Sequence, residues 1–212
     1  VMLSGATDVM NLTTIEASAT GVTLDSLQHY DAVVVSPFVA ADDAMVPVLK
    51  SAVAYQPMVN MNVNLYQTWG LGTPVATGVT AITVDEVNAS SALFEGLDAN
   101  GLELLSDGTI TGVALGNYFA ADDTLAKAGD AVAIHVHNAA RNAYVLLPFT
   151  AETIASADEN TISVLPLNAV QMVARTKKDI TAVGTPAISQ TFADKVTEVA
   201  ISCANKAAKV YY

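Results

Sequence analysis

The apolar positions of this chain fall into short runs whose period changes along its length. "YDAVVVSP" (30–37) holds Val33, Val34 and Val35 between Asp31 and Pro37. A β-branched run that is apolar on both faces predicts a strand covered on both sides, as in a parallel sheet. "ADDAMVPVLKSAVAY" (41–55) then places Met45, Val48, Leu49, Ala52 and Val53 at helical spacing, with Asp42 and Asp43 positioned to cap the start. Pro47 fits such a helix only in its first turn. "QPMVNM" (56–61) reads as the next strand, so 30–61 predicts a strand–helix–strand unit.

"TAITVDEV" (80–87) predicts another short strand and "SALFEGL" (91–97) a turn-like element. In "DAVAIHVHNAARNAYVLLPF" (130–149), two apolar runs flank "NAARN", the spacing of a hairpin at one end of the sheet. "SVLPLNAVQMVARTKK" (163–178) predicts a helix with Leu167, Val170 and Val173 or Ala174 on its inner stripe; Arg175, Lys177 and Lys178 complement its dipole. Gly184 and Pro186 then break the pattern. "EVAISCA" (198–204) alternates with period two, which predicts a half-buried strand with "AKVYY" (208–212) as its hairpin partner. A helix over 193–207 is the competing reading.

Composition narrows the classes. Hydrophobic residues make up 52% of the 212 positions, enough for a sizeable core, yet no run approaches the ~18–20 apolar residues that span a bilayer. Asp and Glu outnumber Lys and Arg by 21 to 9, and Lys177-Lys178 is the only adjacent basic pair, so nucleic acid and anionic membrane surfaces are excluded as expected partners. The single cysteine, Cys203, excludes an internal disulfide and a Cys-based zinc cluster.

Two stretches carry family resemblances. The succession "LQHYDAVVVSP", "VPVLKSAVAYQPMVNMN", "WGLGTP", "ITVDEVNASSALFEGL", "AIHVHNAARNAYVLLPF" and "LNAVQMVAR", over roughly residues 22–176, resembles the trehalose-utilisation-like branch of the class I glutamine amidotransferase-like fold. The tail "TPAISQTFADKVTEVAISCANKAAKVYY" resembles the opening of the Ig-like module at the C-terminus of chitobiases and β-hexosaminidases, matching over 186–212. The first resemblance implies an α/β fold: a flavodoxin-like three-layer sandwich with a mostly parallel sheet and a late hairpin, over residues 1–180. The second implies a C-terminal β segment over 185–212, the start of a module that the chain's end cuts short. It also implies an exported bacterial protein concerned with polysaccharides, its signal peptide already removed and neighbouring domains continuing the chain.

The chemistry of that family does not carry over. Its nucleophile is a Cys on a strand-to-helix elbow, whereas Cys203 lies in the appended segment on the expected core face of a strand. No G-x-S-x-G elbow replaces it. The expected catalytic set is therefore empty, and no metal or cofactor is expected. A binding site is still offered by "NMNVNLYQTWG" (60–70). If it opens at the carboxyl end of a strand, Asn60, Asn62 and Asn64 bring amides beside the flat faces of Tyr66 and Trp69, a combination suited to a sugar. A packed loop is the alternative. His135 and His137 are secondary candidates: one strand face carries both, and an exposed face accounts for them without metal. The acidic pairs Asp42-Asp43 and Asp122-Asp123 lack a calcium-loop pattern. The leading expectation is a non-catalytic accessory or binding domain with an oligosaccharide ligand. Its alternatives are a carbohydrate-directed hydrolase using Asp or Glu with a histidine, and a structural spacer.

Overall fold

The structure, a computed structural model, describes residues 11–116, 123–138, 143–177, 187–193 and 196–202. Cys203 and 208–212 lie outside the described residues. The chain divides into two compact units, Val1–Lys177 and Lys178–Tyr212.

The first unit begins with a one-turn helix, α1 (Leu24–Leu27), closed by a capping box in which Thr23 and Ser26 exchange backbone and hydroxyl hydrogen bonds. The valine run forms β1 (Val33–Val35) and pairs in parallel with β2 (Met58–Asn60). Between them runs α2 (Val46–Ala52), with Pro47 in its first turn. Asp43 does not cap this helix. Its Oδ2 accepts from the Ala40 N–H at 2.8 Å, which stabilises the preceding loop, and the helix starts where Pro47 can be accommodated. A further short helix, α3 (Leu65–Trp69), ends at Gly70, whose φ of 71° is a left-handed conformation that glycine adopts without steric cost.

Beyond Gly70 the expected parallel sandwich is overturned. The chain lays down β3 (Gly72–Ala76), β4 (Ala81–Val84), β5 (Leu102–Glu103), β6 (Thr111–Leu115), β7 (Thr124–Ala128), β8 (Ala131–Asn138) and β9 (Ala143–Leu146). The nine strands form one mixed, mostly antiparallel sheet that curls into a half-barrel. Only the pairs β1–β2 and β2–β9 are parallel. The pairs β3–β6, β4–β5, β4–β7, β6–β8, β7–β8 and β8–β9 are antiparallel. The fold is thus not a flavodoxin-like three-layer sandwich. The physical reason is the connections: Gly129 and Asp130 alone join β7 to β8, whereas a parallel crossover needs about a dozen residues or more.

The long strand β8 is where the sheet forks. Val132 pairs with Lys127 of β7 on one side and Val113 of β6 on the other, while His135 pairs with Thr124 of β7 and Leu146 of β9. β6 and β9 therefore share one edge of β8, each taking half of it. Gly112 permits the close approach of β6, because a Cβ there would lie 2.7 Å from that of Ala131.

Each face of the sheet carries a core. On one side Val35, Met58, Tyr144 and Leu146 pack with Leu27, Leu49, Tyr66 and Trp69 from the three short helices. On the other, Val59, Val145 and Ile134 meet Leu165, Ala169 and Val173 of α4 (Glu159–Ala174). This helix starts earlier than the sequence pattern predicts. Asp158 caps it, Oδ1 accepting from the Thr161 N–H at 2.8 Å, which holds the Asp158 carboxyl below its ordinary range. Pro166 consequently sits mid-helix, and the buried stripe runs through Leu165, Ala169 and Val173, leaving Leu167 half-buried.

In the second unit β10 (Ala187–Ala193) pairs antiparallel with β11 (Val196–Ser202), Ala187 opposite Ser202. The alternating segment is thus a strand through Ser202, and among the described residues it pairs with β10. No helix among the described residues is long and apolar enough to cross a membrane.

Candidate functional site

Of the residues singled out in the sequence, the strand register places Asn60, His135 and His137 on one face of the sheet. Val35, Asn60, Leu146, His135 and Thr124 form one row across β1, β2, β9, β8 and β7. Val33, Met58, Tyr144 and His137 form the next row. Asn60 stands at the carboxyl end of β2, where α/β proteins gather ligands.

At that end, however, the amides serve the fold. Asn60 is fully buried; its Nδ2 donates to the Tyr144 hydroxyl at 3.0 Å and its Oδ1 accepts from the Asn62 N–H at 2.8 Å. Asn62, also buried, repeats the motif one step on: Oδ1 accepts from the Asn64 N–H at 3.1 Å and Nδ2 donates to the Val39 carbonyl at 2.8 Å. Two Asx turns in succession therefore lead the chain out of β2 into α3, and the second pins the loop that follows β1. Asn64 alone of the three is exposed.

The aromatic residues are interior as well. Trp69 is 2% exposed, and its Nε1–H donates to the Val46 carbonyl at 3.2 Å, joining α3 to the start of α2. The Tyr66 ring lies against that of Tyr144, centroids 6.3 Å apart at 42°. Burial raises both phenols above their ordinary range; the neighbouring Tyr144 raises Tyr66 further, whereas Tyr66 and Asn60 partly offset the rise at Tyr144. Neither Tyr66 nor Trp69 presents a ring face to solvent.

Further along the same face lies the second group. His137 Nδ1 is 2.7 Å from Asp123 Oδ2, and both side chains are about a quarter exposed. His135 is fully buried behind them, Nε2 3.9 Å from the same carboxylate oxygen, its ring parallel to that of His137 at 6.5 Å. Burial lowers the His135 pKa to about 4; Asp123 opposes the shift and His137 adds to it. The strand face is therefore not an exposed one at His135. The carboxylate that serves the pair is Asp123, just before β7, rather than Asp130 in the adjoining turn. Among the described residues, no group of three or more His, Cys, Asp or Glu is arranged to hold a metal ion.

Two further residues of this face carry little signal in the sequence. Tyr144 is a hydroxyl-bearing residue inside the otherwise apolar "AYVLLPF", a local signal for a buried polar partner. Asp123 had none beyond belonging to an acidic pair, since its contact with His137 depends on the register of β7 against β8.

No family model matches the chain, and no curated protein matches it. Among solved structures it is similar to cytoplasmic protein STM3548 from Salmonella typhimurium, with a TM-score of 0.52 and 8% sequence identity over 74% of this chain and 77% of that one. At that identity the likeness is one of fold alone.

Proposed function

We propose that the chain is a non-catalytic accessory or binding module of a larger exported bacterial protein concerned with polysaccharides. The observation that carries the non-catalytic part is the internal commitment of Asn60 and Asn62 at the carboxyl end of β2. Groups that an α/β enzyme would turn toward substrate here hold two loops and a helix start. Export and polysaccharide context rest on the resemblance of residues 186–212 to the chitobiase-type module. The relation to trehalose-utilisation-like proteins rests on the order of segments over 22–176. An oligosaccharide at this end of the sheet would meet exposed side chains, Phe38 at 67% exposure and Asn64, rather than the rings of Tyr66 and Trp69.

A thermal-shift screen against soluble oligosaccharides tests this reading. Saturation at about 100-fold the dissociation constant adds roughly 2.7 kcal/mol. A sugar-specific shift that Phe38→Ala removes supports a binding module. A flat screen favours a spacer.

A second reading has its own observation. In a hydrolase, His137 would act as general base, with Asp123 at 2.7 Å fixing its tautomer and stabilising its protonated form. Turnover of a chromogenic glycoside or ester that is lost in His137→Ala, with the fold intact by circular dichroism, would establish it and sink the non-catalytic reading.

A further inference from the structure

We propose that Asp107 and Gly108 form a self-modification site, at which the main chain closes onto the Asp107 side chain and reopens as an isoaspartyl linkage. Three observations carry it. The first is contact: the Gly108 N–H donates to Asp107 Oδ1 at 2.7 Å. The carboxyl carbon is one bond from that oxygen, so the electrophile already lies beside the nitrogen that must attack it.

The second observation is access. Asp107 and Gly108 are both exposed, so water reaches the carboxyl group. Gly108 has no side chain to crowd its nitrogen, and beyond its two neighbours no heavy atom lies within 4 Å of where a Cβ would stand. The third is bracing. The loop between β5 and β6 is tied down on both sides of this step. The Ser106 N–H donates to the Ser156 carbonyl at 2.7 Å, and the Ile110 N–H to the Val79 carbonyl at 2.8 Å. Thr109 Oγ1 accepts from the Gly78 N–H at 2.7 Å, and the flanking Leu105 and Ile110 are buried. These anchors keep the turn in one conformation, so the approach of carboxyl and nitrogen is held rather than visited in passing.

The reaction needs only water. The Gly108 nitrogen attacks Cγ of the neutral Asp107 carboxyl; a C–N bond forms, a C–O bond breaks, and the amide hydrogen leaves with the hydroxyl as water. The product is a five-membered succinimide ring. Water then adds to one of its two carbonyls and cleaves the bond from that carbon to the Gly108 nitrogen. Addition at Cγ restores Asp107. Addition at the main-chain carbonyl leaves the chain running through Cγ, one carbon longer between Ser106 and Thr109, and the Thr109–Gly78 bond is the first to feel that length. The Asn100–Gly101 step closes by the same route with loss of ammonia, so its hydrolysis changes the mass of its peptide, whereas isomerisation at Asp107 does not.

The test compares the full chain folded in buffer at pH 6 with the same chain unfolded in guanidinium chloride, both digested at intervals. Electron-transfer fragmentation of the peptide holding Asp107 distinguishes the isoaspartyl linkage. It is expected to accumulate on the order of ten-fold faster in the folded chain, a small part of what fixed geometry can supply. Asp107→Glu is expected to abolish it, because the longer side chain would have to close a six-membered ring. Equal rates in the two states overturn the proposal, since the sequence alone would then set the chemistry. So does slower accumulation in the folded chain, an Asp107 that stays unmodified in both, or a signal that survives in Asp107→Glu.

Discussion

Two polar groups share one face of the sheet, yet they respond to opposite ends of the pH scale. Around Asn60 everything is neutral: two amides and two buried phenols whose pKa values are raised. Beside Asp123 the innermost group is ionisable: burial lowers the pKa of His135 to about 4. The signs follow from linkage. Above pH 10 the unfolded tyrosines ionise while Tyr66 and Tyr144 keep their protons, so stability falls as pH rises. Below pH 6.5 the unfolded histidine binds a proton that His135 refuses, so stability falls as pH drops. The same burial that makes the amide group a rigid part of the scaffold makes the histidine group conditional.

The largest loss of stability is expected at Trp69. Trp69→Ala removes the buried indole that ties α3 to Val46, and a cost of about 3–5 kcal/mol is expected from lost contacts and cavity. Urea unfolding at pH 7 measures it; a loss under about 1 kcal/mol would mean that the ring is not packed as described. Acid comes next. The shift of His135 from 6.5 to about 4 corresponds to about 3 kcal/mol, present above pH 6.5 and lost progressively as pH falls toward 4. Urea midpoints across that range should show the loss in the unaltered protein and not in His135→Leu. Asn60→Ala should cost about 1–3 kcal/mol, because the buried Asn62 N–H loses its acceptor. Unlike the histidine contribution, that cost should be flat between pH 5 and 8, which separates the two groups directly.

The local elements on this face were readable because each depends on neighbours in sequence. The β-branched run, the position of Pro47 and the hairpin spacing around "NAARN" mark β1, α2, β8 and β9. The global arrangement was not readable, because direction of pairing leaves little trace in runs of three to five residues. "GTPVA", "TGVAL" and "TLAKA" carry weak strand patterns, and only their pairing with β6, β3 and β8 makes them a sheet. The parallel β1–β2–β9 end is the part that the βα pattern describes. Extending that pattern through residues 72–128 produced the incorrect sandwich. The candidate residues show the same division. That Asn60, Asn62, Tyr66 and Trp69 belong together was legible from spacing. That they face inward was not, because a buried Asx turn and an open amide platform have the same composition.

Asn64 gives the smallest and most discriminating test of that point. It occupies the residue before α3, where an Asn side chain that bonds the first turn is commonly worth about 0.5–2 kcal/mol. Here its backbone is already helical, with φ −66° and ψ −26°, and its side chain makes no capping bond. What holds the position is its N–H, donated to Asn62 Oδ1 at 3.1 Å, and alanine keeps that N–H. Asn64→Ala is therefore expected to change stability by less than about 0.5 kcal/mol, whereas Asn62→Ala removes both the acceptor and the donor that pins Val39 and should cost several times more. Paired urea titrations measure the ratio. Equal losses at the two positions would mean that the exposed amide caps the helix in solution, and that the Asx relay does not end at Asn62.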